Sequence, residues 1–129
     1  MTHAFRFQAR GSAFHPRAAG LKFVESFEPG ALATFGGSRG TVVPYGAALY
    51  AVPNLPHTDR QSDFHAVFTH LQSVLPALRN AGATEFILHL HRAFPSQCNE
   101  EFTREELRLL ASLDCHFFYE ARHTNEGET

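Results

Sequence analysis

Tryptophan is absent from this chain of 129 residues and cysteine occurs only twice. No stretch approaches the roughly 18 consecutive apolar residues of a membrane-spanning helix. Each lack excludes something. Cys98 and Cys115 cannot build a disulfide framework, so reduced thiols are expected. The opening MTHAFRFQARG has neither the apolar core nor the small-residue cleavage site of a secretory signal, so we expect a cytoplasmic protein with no membrane association. A net charge of −2 gives no electrostatic reason to expect nucleic acid or anionic lipid as a partner. That balance is soft, because nine histidines would turn the chain cationic on mild acidification.

What is present suits a globular domain: 43% hydrophobic and 19% charged residues, with thirteen Phe to fill a core. A chain of this length hides roughly two-thirds of its unfolded surface in one domain. We expect residues 1–123 to form that domain and residues 124–129 to be a disordered polar tail.

Residues 4–9 (AFRFQA) alternate with period two and predict a half-buried strand, Phe5 and Phe7 inward, Arg6 and Gln8 outward. Residues 14–27 are read as holding a short helix with Pro16 in its first turn, and a short strand is considered around Ala31–Phe35. FGGSRG (35–40) is turn chemistry, and YGAALYAV (45–52) a second strand. A long helix follows from Thr58, where Thr58-Asp59-Arg60-Gln61 has capping-box spacing. Its apolar stripe is Phe64, Val67, Phe68, Leu71, Val74, Leu75 and Leu78; Pro76 lies within it and Gly82 is placed to end it. EFILHLHRAF is the next strand. A capping box at Thr103–Glu106 opens a second helix, with Phe102 and Leu107 placed as a hydrophobic staple and Leu107, Leu110 and Ala111 as its stripe. CHFFYEAR (115–122) is the last strand. Helices separated by strands favour an α+β two-layer sandwich of ferredoxin-like character, with a mostly antiparallel sheet and the helices on one face.

The ending FTREELRLLASLDCHFFYEA resembles that of an uncharacterised bacterial family, the domain of unknown function numbered 4279. Glu106, Leu107, Leu110, Ala111 and Leu113, then Phe117 and Tyr119, carry the resemblance, and the N-terminal strand and the lead into GALATFGGSRG are laid out similarly. The resemblance implies a bacterial α+β domain and supplies no catalytic residues. Relatives in toxin-immunity neighbourhoods imply a protein-binding role.

Strand parity then sorts the chemistry. Phe86, Leu88 and Leu90 should meet the helices, which leaves Glu85, Ile87, His89 and His91 on the other face. The last strand adds His116, Phe118, Glu120 and Arg122 to that open face, and the first adds Arg6, Gln8 and Arg10, provided the strands are neighbours. His89, His91 and His116 are the one metal-ligand combination the register offers, with Glu120 as a fourth, because zinc needs converging nitrogen or carboxylate ligands. Solvated positions are the plainer reading of these histidines. His57, His65 and His70 read as surface residues of the long helix and its approach, since five-residue spacing does not share a helical face.

GGSRG lacks the Lys-Ser/Thr of a phosphate loop. Cys115 and His116, adjacent in a strand, point to opposite faces, and Cys98 has no base placed beside it. Glu100-Glu101 and Glu105-Glu106 suit a helix N-terminus. Phe118 alone could stack a base, so RNA is not the expected ligand. The chain reads as a non-catalytic binding or immunity-type protein, without a cofactor, whose open sheet face meets another protein or a second copy of itself. The alternative is a metal-dependent enzyme using the His-x-His pair.

Overall fold

The computed structural model describes residues 2–52, 60–95 and 100–124. In chain order these form β1 (Thr2–Gly11), a 3-10 turn (Pro16–Ala19), β2 (Phe23–Phe27) and β3 (Gly46–Tyr50). Helix α1 (Arg60–Asn80), β4 (Glu85–Phe94), α2 (Arg104–Ser112) and β5 (His116–His123) complete the order. The five strands make one sheet in the order β2-β3-β1-β4-β5. Every neighbouring pair is antiparallel except β4 and β5, which run parallel and are joined through α2. The α+β class and the mostly antiparallel sheet are as the sequence predicts.

All seven apolar positions of the α1 stripe are buried. They pack with Phe7 and Ala9 of β1, Ala48 of β3 and Phe86, Leu88 and Leu90 of β4, and α2 adds Leu110 and Leu113 to the same cluster. Each buried Val, Leu or Phe side chain of this cluster contributes about 1.5–3 kcal/mol by leaving water. The Thr58 cap lies outside the described residues. At the other end, Gly82 takes φ +106°. Its N–H donates to the Arg79 carbonyl and the Ala83 N–H to that of Leu78, both at 3.0 Å, the paired bonds that close a helix through a left-handed residue.

The capping box of α2 is present. The Glu106 N–H donates to Thr103 Oγ1 at 3.1 Å, and the Thr103 N–H to Glu106 Oε1 at 2.8 Å. The expected stripe is rotated, however. Leu107 is 54% exposed and Ala111 is exposed, whereas Glu106, Leu110 and Leu113 face inward. Phe102, expected to staple to Leu107, instead sets its ring against Phe64, Phe117 and Tyr119. The core draws the aromatic ring away from the helix surface because burying it there gains more than a local contact.

Two further expectations are corrected between β1 and β3. The short helix expected within residues 14–27 is a single 3-10 turn, Pro16–Ala19, with Pro16 in its first turn as expected; it stops where Gly20 takes φ +66°, and the rest of the segment is instead a strand, Phe23–Phe27 pairing with β3. Residues 31–35 are not a strand but carry one isolated bridge, Leu32 to Val42. The register of β2 slips between Phe23 and Glu25. One extra residue in a strand reverses the faces that follow it. Phe23 therefore meets Tyr50 on the helix side, whereas Phe27 joins Ala33, Phe35, Val43, Ala47 and Leu49 in a second, smaller core on the opposite side. Residues 28–45 thus cover the back of β2 and β3. At the tail, Thr124 donates its N–H to the Phe94 carbonyl at 2.7 Å, and residues 125–129 lie outside the described residues.

Gly82 and Gly36 separate backbone conformation from space. A Cβ on Gly82 would sit 2.0 Å from the Ala13 carbonyl oxygen, whereas one on Gly36, at φ +83°, meets nothing. Gly36→Ala should cost about 1 kcal/mol, the left-handed penalty alone, and Gly82→Ala at least about twice that. Urea unfolding of both variants against wild type measures the difference.

Candidate functional site

Strands β1, β4 and β5 are neighbours, so the condition set by the sequence is met and its candidate residues share one face. Arg6 lies opposite His89, Gln8 opposite Ile87 and Arg10 opposite Glu85. On the other flank Ile87 lies opposite His116, His89 opposite Phe118 and His91 opposite Glu120. Arg122 follows, opposite Ala93. Residues 28–45 back only β2 and β3, and among the described residues no segment packs over this half of the face.

The Arg10 guanidinium donates to Glu85 Oε1 at 2.6 Å, and that bond holds the Glu85 carboxyl below its usual range. Both side chains are more than a third exposed, which limits the pair to under about 1 kcal/mol. His91 Nδ1 is 3.6 Å from Glu120. The imidazoles of His89 and His91 lie parallel with centroids 6.0 Å apart, and the Phe118 ring leans on His89 at 5.2 Å. Phe118 is nonetheless 51% exposed. Burial, then the neighbouring charges of His91 and Arg6, push the His89 imidazole below 6.5, with Glu120 opposing. Arg6 has no ion pair among the described residues.

The metal combination is not assembled. Among the described residues no three His, Cys, Asp or Glu side chains converge as ligands. The parallel register explains this: His116 stands opposite Ile87, two positions away from His89's partner, and reaches instead towards Glu85 at 3.9 Å.

Other sequence readings meet the structure unevenly. A pocket of about 260 Å³ between the starts of β4 and β5 is lined by Thr84, Glu85, Phe86, Asp114, Cys115 and His116. Burial pushes the Cys115 thiol up to about 11, so it stays protonated at neutral pH and is no nucleophile. His57 and Cys98 lie outside the described residues. His65 is a surface residue, but His70 is not: it is half-buried, stacked on Tyr50 at 5.7 Å and hydrogen-bonded to the Tyr50 hydroxyl at 2.8 Å. GGSRG is a turn, with the Arg39 N–H on the Gly36 carbonyl and Thr41 closing on Ser38.

One group of polar residues escapes the sequence reading. Arg92, on the core side of β4, is 3% exposed. Its Nε donates to Glu100 Oε2 at 2.9 Å, the same oxygen that accepts from the Tyr119 hydroxyl at 2.6 Å. The guanidinium also lies 5.6 Å from the Phe64 ring centroid and 5.3 Å from that of Phe94. Glu100 therefore serves a buried ion pair and not the dipole of α2. Parity alone places Arg92 with Phe86, Leu88 and Leu90; its carboxylate partner Glu100 lies beyond the end of β4, where no pattern of the strand points to it.

Comparison with protein-family models, with curated proteins and with solved structures returns no match to this chain.

Two outcomes follow. Because the unfolded chain takes up a proton on this histidine near pH 6.5 and the folded protein resists it, the stability His89 contributes is intact above that pH and lost as pH falls below it. An NMR titration should place the His89 midpoint below 6.5, and Arg6→Gln should move it up. Arg92→Met, which takes the guanidinium from a buried carboxylate, should cost about 3–5 kcal/mol in urea unfolding. Adding Glu100→Gln should recover part of that loss.

Proposed function

We propose that the chain is a non-catalytic binding protein that receives an acidic protein surface on the bare half of its sheet. The observation that carries the reading is the contrast between the two halves of the face behind the helices. Residues 28–45 pack a small apolar core against β2 and β3, while on β1, β4 and β5 the exposed Arg6 and Phe118 and the half-buried Gln8, His89 and His91 have no such segment over them among the described residues. Three guanidiniums (Arg6, Arg10, Arg122) stand against two carboxylates (Glu85, Glu120), so the face is net positive even with every histidine neutral. Exposed aromatic rings and arginines, as Phe118 and Arg6 are on either side of His89, are the residue types that serve as energetic anchors in protein interfaces. In its immunity-type form, which the resemblance implies, the partner would be a toxin met in the cytoplasm.

Capture from a cell lysate by the wild-type protein and by surface variants tests the reading. Arg6→Glu and Phe118→Ser should each weaken retention of the captured protein at least about tenfold, as loss of an anchor residue does. Val24→Ser, on the exposed side of β2, should leave it unchanged. Equal weakening by Val24→Ser, or wild-type retention by both face variants, would defeat the proposal.

A further inference from the structure

The two edges of the sheet are built differently. At one edge β2 is five residues long, follows Lys22 and slips register between Phe23 and Glu25. A short strand, a lysine and a bulge each discourage a further strand from adding. At the other edge β5, HFFYEARH, is eight residues long, contains neither Pro nor Lys, and keeps unbroken register with β4 from His116 to His123. No strand pairs with its outer side among the described residues. Among the described residues the outer backbone donors and acceptors of this strand have no ladder partner, and such a row is a template for another chain.

The charge along β5 says which chain. A two-fold axis normal to the sheet keeps each face on its own side, so positions of equal parity meet across an antiparallel pair. With Ala121 opposite Ala121 of a second copy, Glu120 faces Arg122 of that copy and Arg122 faces its Glu120, both on the open face. Tyr119 meets His123 on the helix side. Centring the pair one position earlier sets Glu120 against Glu120, and one position later sets Arg122 against Arg122. Centring on Tyr119 opposes His116 to Arg122. Centring on Phe118 pairs His116 with Glu120, which attracts fully only when the imidazole is protonated. At neutral pH the alignment at Ala121 is the one that matches full charges. Both charged side chains are exposed, as is Ala121 itself, which is small enough to meet its own copy.

We propose that β5 pairs antiparallel with β5 of a second copy of this chain, Glu120 against Arg122 across a two-fold at Ala121. The two five-stranded sheets then form one continuous sheet, with their bare faces side by side on the same surface. The inference does not depend on the binding role of that face.

Sedimentation of the purified protein over a concentration series at pH 7.5 tests it, using wild type, Glu120→Arg, Arg122→Glu and the double reversal. Wild type should form a dimer. Each single reversal turns two attractive cross-strand pairs into two repulsive ones and should raise the dissociation constant at least about tenfold. The double reversal should return it close to the wild-type value, which a misfolded variant could not do. Wild type at monomer mass at every concentration, or a double reversal no better than the single ones, overturns the proposal. Ala121→Cys supplies a second readout: opposed residues of an antiparallel pair lie within disulfide reach, so oxidation should cross-link this variant and leave Val24→Cys uncrosslinked. A variant at position 121 that fails to cross-link while the protein is dimeric rejects the alignment.

Discussion

The antiparallel ladder from Thr2 opposite Ala93 to Arg10 opposite Glu85 fixes which side chains of this protein reach water. Successive residues of a strand face opposite sides, so one choice of register decides all of them together. The choice is enforced by α1 and α2, whose apolar side chains accept only the face carrying Phe7, Phe86, Leu88 and Leu90. A slip by one residue would bring Arg6, Gln8, His89 and His91 against the helices, at a cost of several kcal/mol for each polar group left without a partner. The histidines therefore stand on the bare face because the leucines between them do not.

The same periodicity explains which parts of the fold the sequence discloses. In α1, β4 and the cap of α2 the decisive pattern is local, and each was readable from neighbouring residues. β2 was not, because Phe23 and Phe27 have equal parity and an unbroken strand would send both inward. Only the slip before Glu25, with a second core to receive Phe27, makes that segment a strand. The open-face residues were legible as a set once β1, β4 and β5 were taken as neighbours. Whether three histidines converge was not legible, since that depends on the offset between parallel strands, which places His116 beside Ile87.

Charge is used in two contrasting ways. Arg92 and Glu100 are buried at the helix side of the sheet with a tyrosine hydroxyl on the same carboxylate and aromatic rings about the guanidinium. Such a pair contributes little net stability against an apolar replacement but strongly penalises any arrangement that separates its members, so it holds β4, β5 and the approach to α2 in one geometry. On the opposite face the pairs are exposed and weak, and Arg6 has no ion pair among the described residues. Charges that are cheap to hold in water are also cheap to transfer to an incoming carboxylate.

The apolar residues of the back face make the same point from the other side. The chain covers β2 and β3 with Phe27, Phe35 and Val43, so it has the means to seal a sheet face with its own residues. Over β1, β4 and β5 no described segment does so, yet the chain sets Phe118 there, half in water, and Ile87 near it. Solvation alone would favour polar side chains at these positions. An aromatic ring supported by the His89 imidazole, with His116 and Glu120 on either side along its strand, gains its full hydrophobic contribution only when a second surface excludes water from it. Phe118 on the edge strand and Ile87 on its neighbour are thus few apolar side chains set among polar ones, and a surface laid over them gains by excluding water.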